Sequence, residues 1–263
     1  MHQVTKMEKI DLLMWTLNSE ETLPYALKSI DRAIPKKNVN QKFVIDGNSE
    51  DKTVKIAEKH GWTVIHSPKR NIAYQANLGL KNVETEFFAS FEHDIILNQE
   101  WFKKIKESMI PEDVAVSQGL RYSINPTVKV IEKSSYKTRV VSIDNNLYRT
   151  ELINKLGGFD EKYPVSADRK LQDVVIENGY KWVINRNLIS IHFKTDARKM
   201  IKGIYEMVSV KDYPEIRDKK NNIKRFFFSP FRSLLLIKEY GNYPLIFLVY
   251  PYWRFYIMKA SLN

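Results

Sequence analysis

Short apolar runs alternate with stretches of helical spacing over the first ninety or so positions. Asp11-Leu-Leu-Met-Trp-Thr-Leu17 reads as a buried strand. Asn18-Ser19-Glu20-Glu21 then carries helix-capping chemistry, and Leu23, Leu27, Ile30 and Ile34 share one helical face until Pro35 ends the run. Lys42-Phe-Val-Ile45 is a second short strand, and the turn Asp46 to Thr53 feeds a helix bearing Val54, Ile56 and Ala57. Trp62-Thr-Val-Ile65 is a third strand, followed by a helix from about Ile72 to Asn82, and Phe87 to Phe91 is a fourth. Such alternation with short connections predicts an α/β fold with a mostly parallel, doubly wound sheet.

The fourth strand carries the most telling chemistry. Its apolar run is interrupted by Glu92-His93-Asp94 before Ile95-Ile-Leu97 resumes it. In a continuous strand Glu92 and Asp94 share a face, because side chains alternate with period two. Paired like charges raise each other's pKa unless a cation holds them, and Mg²⁺ or Mn²⁺ bridging to a phosphate is the natural candidate. The C-terminal ends of strands are also where open α/β sheets bind ligands. Two solvated acids at a strand end are the plain alternative.

Composition narrows the picture. The chain has 263 residues, 43% hydrophobic and 28% charged, which describes a folded protein. It contains no cysteine, which excludes disulfides and thiolate metal sites. Met1 to Lys9 lacks the apolar core of a signal peptide, so a cytoplasmic location is expected. The net charge of +11 is concentrated late: residues 194–263 hold 14 Lys and Arg against 6 Asp and Glu. The same region is aromatic, with Phe226-Phe-Phe and Tyr240 to Trp253, and its longest uncharged stretch has fourteen residues and two prolines. A membrane span needs about 20 apolar residues, so amphipathic helices lying in the membrane interface are expected instead. The expected division is a catalytic domain over 1–200 and a basic, aromatic helical segment over 201–263.

Thr16 and Asn18 after the first strand, Asp46-Gly47-Asn48-Ser49-x-Asp51-x-Thr53, Asn77-Leu78-Gly79-Leu80 and Glu92-His93-Asp94 together resemble the nucleotide-sugar-binding half of family 2 glycosyltransferases with the GT-A fold. Asn145-Asn146-Leu-Tyr-Arg149 and Leu156-Gly157-Gly158-Phe159-Asp160-Glu161 resemble the acceptor-side segment of that family, followed by a helix from Asp168 to Asn178 that Gly179 caps. The resemblance runs from about Asp11 to His192. Three positions depart from it: Glu92 replaces the first family aspartate, Ala167 replaces an acid beside Asp168, and Ala76 stands where an arginine often precedes the helical asparagine.

The resemblance implies inverting transfer of a sugar from a nucleotide-diphosphate donor, with GDP-mannose slightly favoured over a UDP-sugar. It assigns Asp94 as a ligand of Mn²⁺ or Mg²⁺, Glu92 to the ribose or the metal, and His192 as a further metal or diphosphate ligand. Asp46 is implied at the nucleotide base or ribose, with Thr16, Asn18, Asp51, Arg70 and Asn77 lining the pocket, Lys194 and Arg198 meeting phosphates, and Asp168 as general base. Taken alone, Asp46 is equally a turn former, Asn18 and Asp51 helix caps, and Asp168 an acid favoured by the helix dipole. His93 is expected on the opposite face. With the tail at the cytosolic face of a membrane, the expected acceptor is lipid-linked or a glycan, with no nucleic-acid partner. The competing readings are a sugar-nucleotide nucleotidyltransferase and a non-catalytic membrane or nucleic-acid binder using the tail.

Overall fold

The first apolar run becomes β1 (Ile10–Thr16), buried along its whole length. The computed structural model describes residues 9–135, 141–164, 166–193, 218–240 and 246–262, and the chain divides into two units, residues 1–121 with 141–193 and residues 122–140 with 194–263.

In the first unit β1 is followed by α1 (Leu23–Ala33), β2 (Val39–Asp46), α2 (Thr53–Lys59), β3 (Thr63–His66), α3 (Ile72–Leu80) and β4 (Phe87–Glu92). Helix α1 buries Leu23, Ala26, Leu27 and Ile30, and it stops at Ile34, which is extended because the Pro35 ring disfavours the helical conformation before it. Strands β1, β2, β3 and β4 pair in parallel. Alternation along β1 sends Ile10, Leu12 and Met14 into one core with Leu23, Leu27, Ile30, Trp101 and Ile105, and Leu13 and Trp15 into another with Ala73, Ala76, Leu171 and Val175. At the start of β1 the buried Asp11 carboxylate accepts from the Gln41, Glu84 and Thr85 backbone amides and so ties three strand entries together.

The rest of the sheet departs from the expected parallel pattern. After β5 (Ile95–Ile96), α4 (Trp101–Glu107), β6 (Val114–Ser123) and α5 (Pro126–Ser135), the chain returns as β7 (Asn146–Arg149), then α6 (Thr150–Lys155), α7 (Ala167–Glu177) and β8 (Lys181–His192). The eight strands order as β3-β2-β1-β4-β7-β6-β8-β5, and the β4–β7, β7–β6 and β8–β5 pairs are antiparallel. Parallel pairing needs a crossover connection, and β7 instead enters beside β4 from the opposite end. Gly179, with φ +80°, closes α7 as expected.

The second unit holds α5 together with α8 (Lys219–Phe227), α9 (Ser229–Tyr240) and α10 (Ile246–Leu262). It thus takes in residues 122–140 as well as the tail. Val130 of α5 packs with Leu236, Ile246, Trp253, Ile257 and Ala260. No described helix is long and apolar enough to cross a membrane.

Candidate active site

Strand β4 ends at Glu92, and His93-Asp94 is a turn that launches β5. The same-face expectation for Glu92 and Asp94 is therefore corrected. Three strands separate β4 from β5 in the sheet, so the chain must leave the β4 pleat before Ile95. Pairing between β5 and β8 is what gathers the site. Ile95 lies opposite His192, and the Phe193 amide donates to the Asp94 carbonyl at 2.7 Å. The buried His192 Nε2 then sits 3.2 Å from Asp94 Oδ2. Glu92, Asp94 and His192 each present a ligand atom within 4.8 Å of the others. His93 turns elsewhere, with Nδ1 2.8 Å from Thr22 Oγ1.

Two residues absent from the sequence reading complete this end of the sheet. Arg121 Nη1, on β6, donates to Glu92 Oε2 at 2.7 Å and also to Asp144 Oδ2, in the loop before β7. Asp144 is fully buried, and desolvation pushes its carboxyl up to about 6 although Arg121 opposes the rise. The loop is fixed by Asn145, whose Nδ2 donates to the Leu120 carbonyl at 2.9 Å. A side chain at Gly119 would lie 2.7 Å from that same Nδ2, so the close approach of loop and strand requires glycine.

Asp168 stands in the first turn of α7, its Oδ1 accepting from the Arg169 amide at 2.8 Å. Its side chain is half-buried, yet protein packs closely enough around the carboxyl that desolvation raises it to about 6, against the pull of Arg169 and Arg121 and with a smaller push from Glu92. Glu92, Asp94, Asp144 and Asp168 thus gather round Arg121, His192 and Arg169. Carboxylates exceed cations in this group, and oxygen donors with one imidazole form a donor set suited to Mn²⁺. The residues present fit a divalent ion held by Asp94 and His192 with Glu92 in reach.

The neighbouring strand ends hold the other expected residues. Asp46 is fully buried and accepts from Thr16 Oγ1 at 2.9 Å, the Ser49 amide at 2.8 Å and Ser49 Oγ at 2.6 Å. Asn18, at φ +47°, accepts from the Glu50 amide at 2.9 Å. Asp51 accepts from the Glu20 amide at 3.0 Å and the Thr53 amide at 2.9 Å. These residues knit the β1 and β2 exits together, and Thr16 and Asp46 are spent largely on each other and on Ser49. Asn77 is committed too: its Nδ2 donates to the Phe159 carbonyl at 2.7 Å and its Oδ1 accepts from the Phe159 amide at 2.8 Å. It positions the Gly157–Gly158–Phe159 turn. Arg70 is exposed in the loop before α3. Lys194 and Arg198 lie outside the described residues.

A mixed α/β sheet, parallel over its first four strands and with acids clustered at strand ends, fits a fold of the GT-A kind. The model of "Glycosyl transferase family 2" matches residues 11–166, more than half of the chain, and the chain belongs to that family. A search of curated protein sequences returns no match. Among solved structures, mannosyltransferase PcManGT from Pyrobaculum calidifontis, in complex with GDP-Man and Mn²⁺, is similar at 13% identity and TM-score 0.65 over 99% of this chain and 74% of that one. S. aureus TarS is similar at 19% identity and TM-score 0.57 over 76% of this chain, which spans only 38% of TarS. Glucosyl-3-phosphoglycerate synthase from Mycobacterium tuberculosis, solved with Mn²⁺, UDP and glucosyl-3-phosphoglycerate, is similar at 11% identity and TM-score 0.55 over 80% of this chain and 82% of that one.

Proposed function

We propose that this chain is a metal-assisted inverting glycosyltransferase that moves a sugar from a nucleotide-diphosphate donor to an acceptor hydroxyl. The observation that carries the reading is the convergence of Glu92, Asp94 and His192 at one edge of the sheet. A bond forms between the acceptor oxygen and the anomeric carbon as the bond from that carbon to the diphosphate breaks. Asp168 takes the acceptor proton, and a carboxyl raised to about 6 is a stronger base than an ordinary one while still ionised at neutral pH. Arg121 holds Glu92 in place for the donor ribose or the metal. A divalent ion bound by Asp94 and His192 would supply charge neutralisation for the departing diphosphate.

We favour GDP-mannose as donor, because the similarity to PcManGT, solved with GDP-Man, extends over 99% of this chain. The acceptor is read as lipid-linked, and the second unit supports that reading. Phe227, Phe228, Phe231, Leu234 and Leu235 are exposed at or beyond 41% along α8 and α9, beside Lys224, Arg225 and Arg232. Apolar side chains flanked by cations suit the headgroup boundary of an anionic membrane, and the enzyme would work at its cytosolic face.

Calorimetric titration of GDP- and UDP-linked sugars, with and without Mn²⁺, against the protein and its Asp94→Ala variant tests the site. One donor is expected to bind in a way that needs both the metal and Asp94. Absence of donor binding under every condition would remove the reading. Sedimentation with anionic and neutral vesicles tests the second unit, with binding to anionic vesicles expected and lost on replacing Phe227 and Phe231 by serine.

A further inference from the structure

The active-site residues sit at the C-terminal ends of the parallel strands, and a different kind of cavity opens at the other end of the first unit. It has a volume of about 800 Å³ and is walled by Lys9, Arg32, Lys37, Lys103 and Lys106, together with Ala33, Pro35, Asn38, Gln99 and Phe102. Among the described residues no acidic side chain lines it. Lys9 precedes the first residue of β1, whereas Thr16 ends that strand. Seven residues of extended chain set the Lys9 wall of the cavity about 20 Å from Thr16 at the other end of β1.

Local charge here is not a share of a generally basic surface. Residues 1–193 hold 28 Lys and Arg against 25 Asp and Glu, so the five cations that wall the cavity exceed the net positive charge of the whole segment. Two of the five have nearby partners: Lys103 meets Glu100 at 3.9 Å on the surface, and Lys106 lies 5.3 Å from the centre of the Phe102 ring. The floor is firm, because Ala33 and Phe102 are buried in the core shared by α1 and α4. Five cations brought together repel one another, and a bound anion relieves that repulsion. The volume lies in the range of small-ligand sites, and Phe102 with Pro35 offers apolar surface for the uncharged part of such a ligand.

We propose that this cavity is a second ligand site, for a soluble, multiply phosphorylated small molecule, separate from the donor site. Several cations converging on one concave surface select multiple negative charges over a single one, and cavity size selects a molecule over a polymer.

The test uses the full chain in EDTA, and also its Asp94→Ala variant, so that metal-dependent donor binding does not contribute. Inorganic triphosphate and ATP are titrated by calorimetry against these proteins and against the Lys37→Glu/Lys106→Glu double variant, whose changes lie on the surface. Expected are binding of both probes to the full chain, equal binding to Asp94→Ala, and at least a tenfold loss in the double variant. Failure of both probes to bind, or equal binding to the double variant, overturns the proposal. Vesicle sedimentation of the double variant separates a soluble ligand from a lipid headgroup. Unchanged sedimentation is expected, and its loss would assign the cavity to membrane phosphate and overturn a soluble ligand. Donor binding with Mn²⁺ is measured in parallel, so failure of this site and failure of the glycosyltransferase reading are told apart.

Discussion

Two acidic turns stand at the exits of the parallel strands β2 and β4, with β1 between them, and they have different surroundings. After β2, the Asp46 carboxylate receives three hydrogen bonds, one from Thr16 at the end of β1 and two from Ser49 in its own loop. After β4, Glu92 and Asp94 join Asp144 and Asp168 around Arg121, His192 and Arg169, so that among the described residues carboxylate faces carboxylate. An acid that neutral hydrogen-bond donors surround builds the loop, whereas acids grouped with one another and with an imidazole form a donor set for a cation. The difference lies in the neighbours, not in the residue type.

Replacing Asp94 by Asn is the strongest test of that contrast. Sugar transfer should fall on the order of a thousandfold, with Mn²⁺ binding lost, because several kcal/mol of charge stabilisation on the leaving group depends on the ion. Asp46→Asn should leave Mn²⁺ binding in place, and a comparable loss of metal binding there would erase the distinction. Next in size is Asp168→Asn, for which kcat should fall roughly 10²- to 10⁴-fold.

The pH profile sharpens the same test. Wild-type kcat should drop on the acid side with a midpoint near 6, since Asp168 accepts a proton only when ionised, and the Asn variant should lack that limb. The stability sign is opposite. Folding raises the Asp168 pKa, so the native state favours the protonated form; this contribution is fully present below the unfolded value near 4 and is lost as pH rises through about 6. Asp168→Asn should accordingly unfold at higher urea than wild type at pH 7.

Smaller effects fall on the satisfied turn. Asp46→Ala strands three donors and should cost about 2–4 kcal/mol in urea unfolding. Asn77→Ala should cost about 1–2 kcal/mol by releasing the Phe159 backbone, with donor KM little changed. A large rise in donor KM with stability intact would place Asn77 at the ligand after all.

The parallel half of the sheet was legible because burial on both faces writes strands as apolar runs such as Leu12–Trp15 and Phe87–Phe91, and because α1 repeats its apolar residues at helical spacing. Candidate acids were legible for a related reason: a carboxylate directly after a buried strand interrupts the pattern. Arg121 and Asp144 gave no such signal, since each is one charged residue in a segment whose pairing partners lie far away in the chain.

By itself the sequence determined the alternation of strands and helices, the family, and the positions of Asp46, Glu92, Asp94, Asp168 and His192 along the chain. Period and burial are local properties, and the order of residues records them directly. Only the tertiary structure decided that the β4–β7, β7–β6 and β8–β5 pairs are antiparallel, that His192 meets Asp94 across the β5–β8 pair, and that Arg121 joins Glu92 to Asp144. It also separated Asp46, held by Thr16 and Ser49, from the acids grouped around Arg121 and His192. Electrostatic roles depend on which charges and donors come within a few ångströms, and that is settled by strand pairing between distant segments.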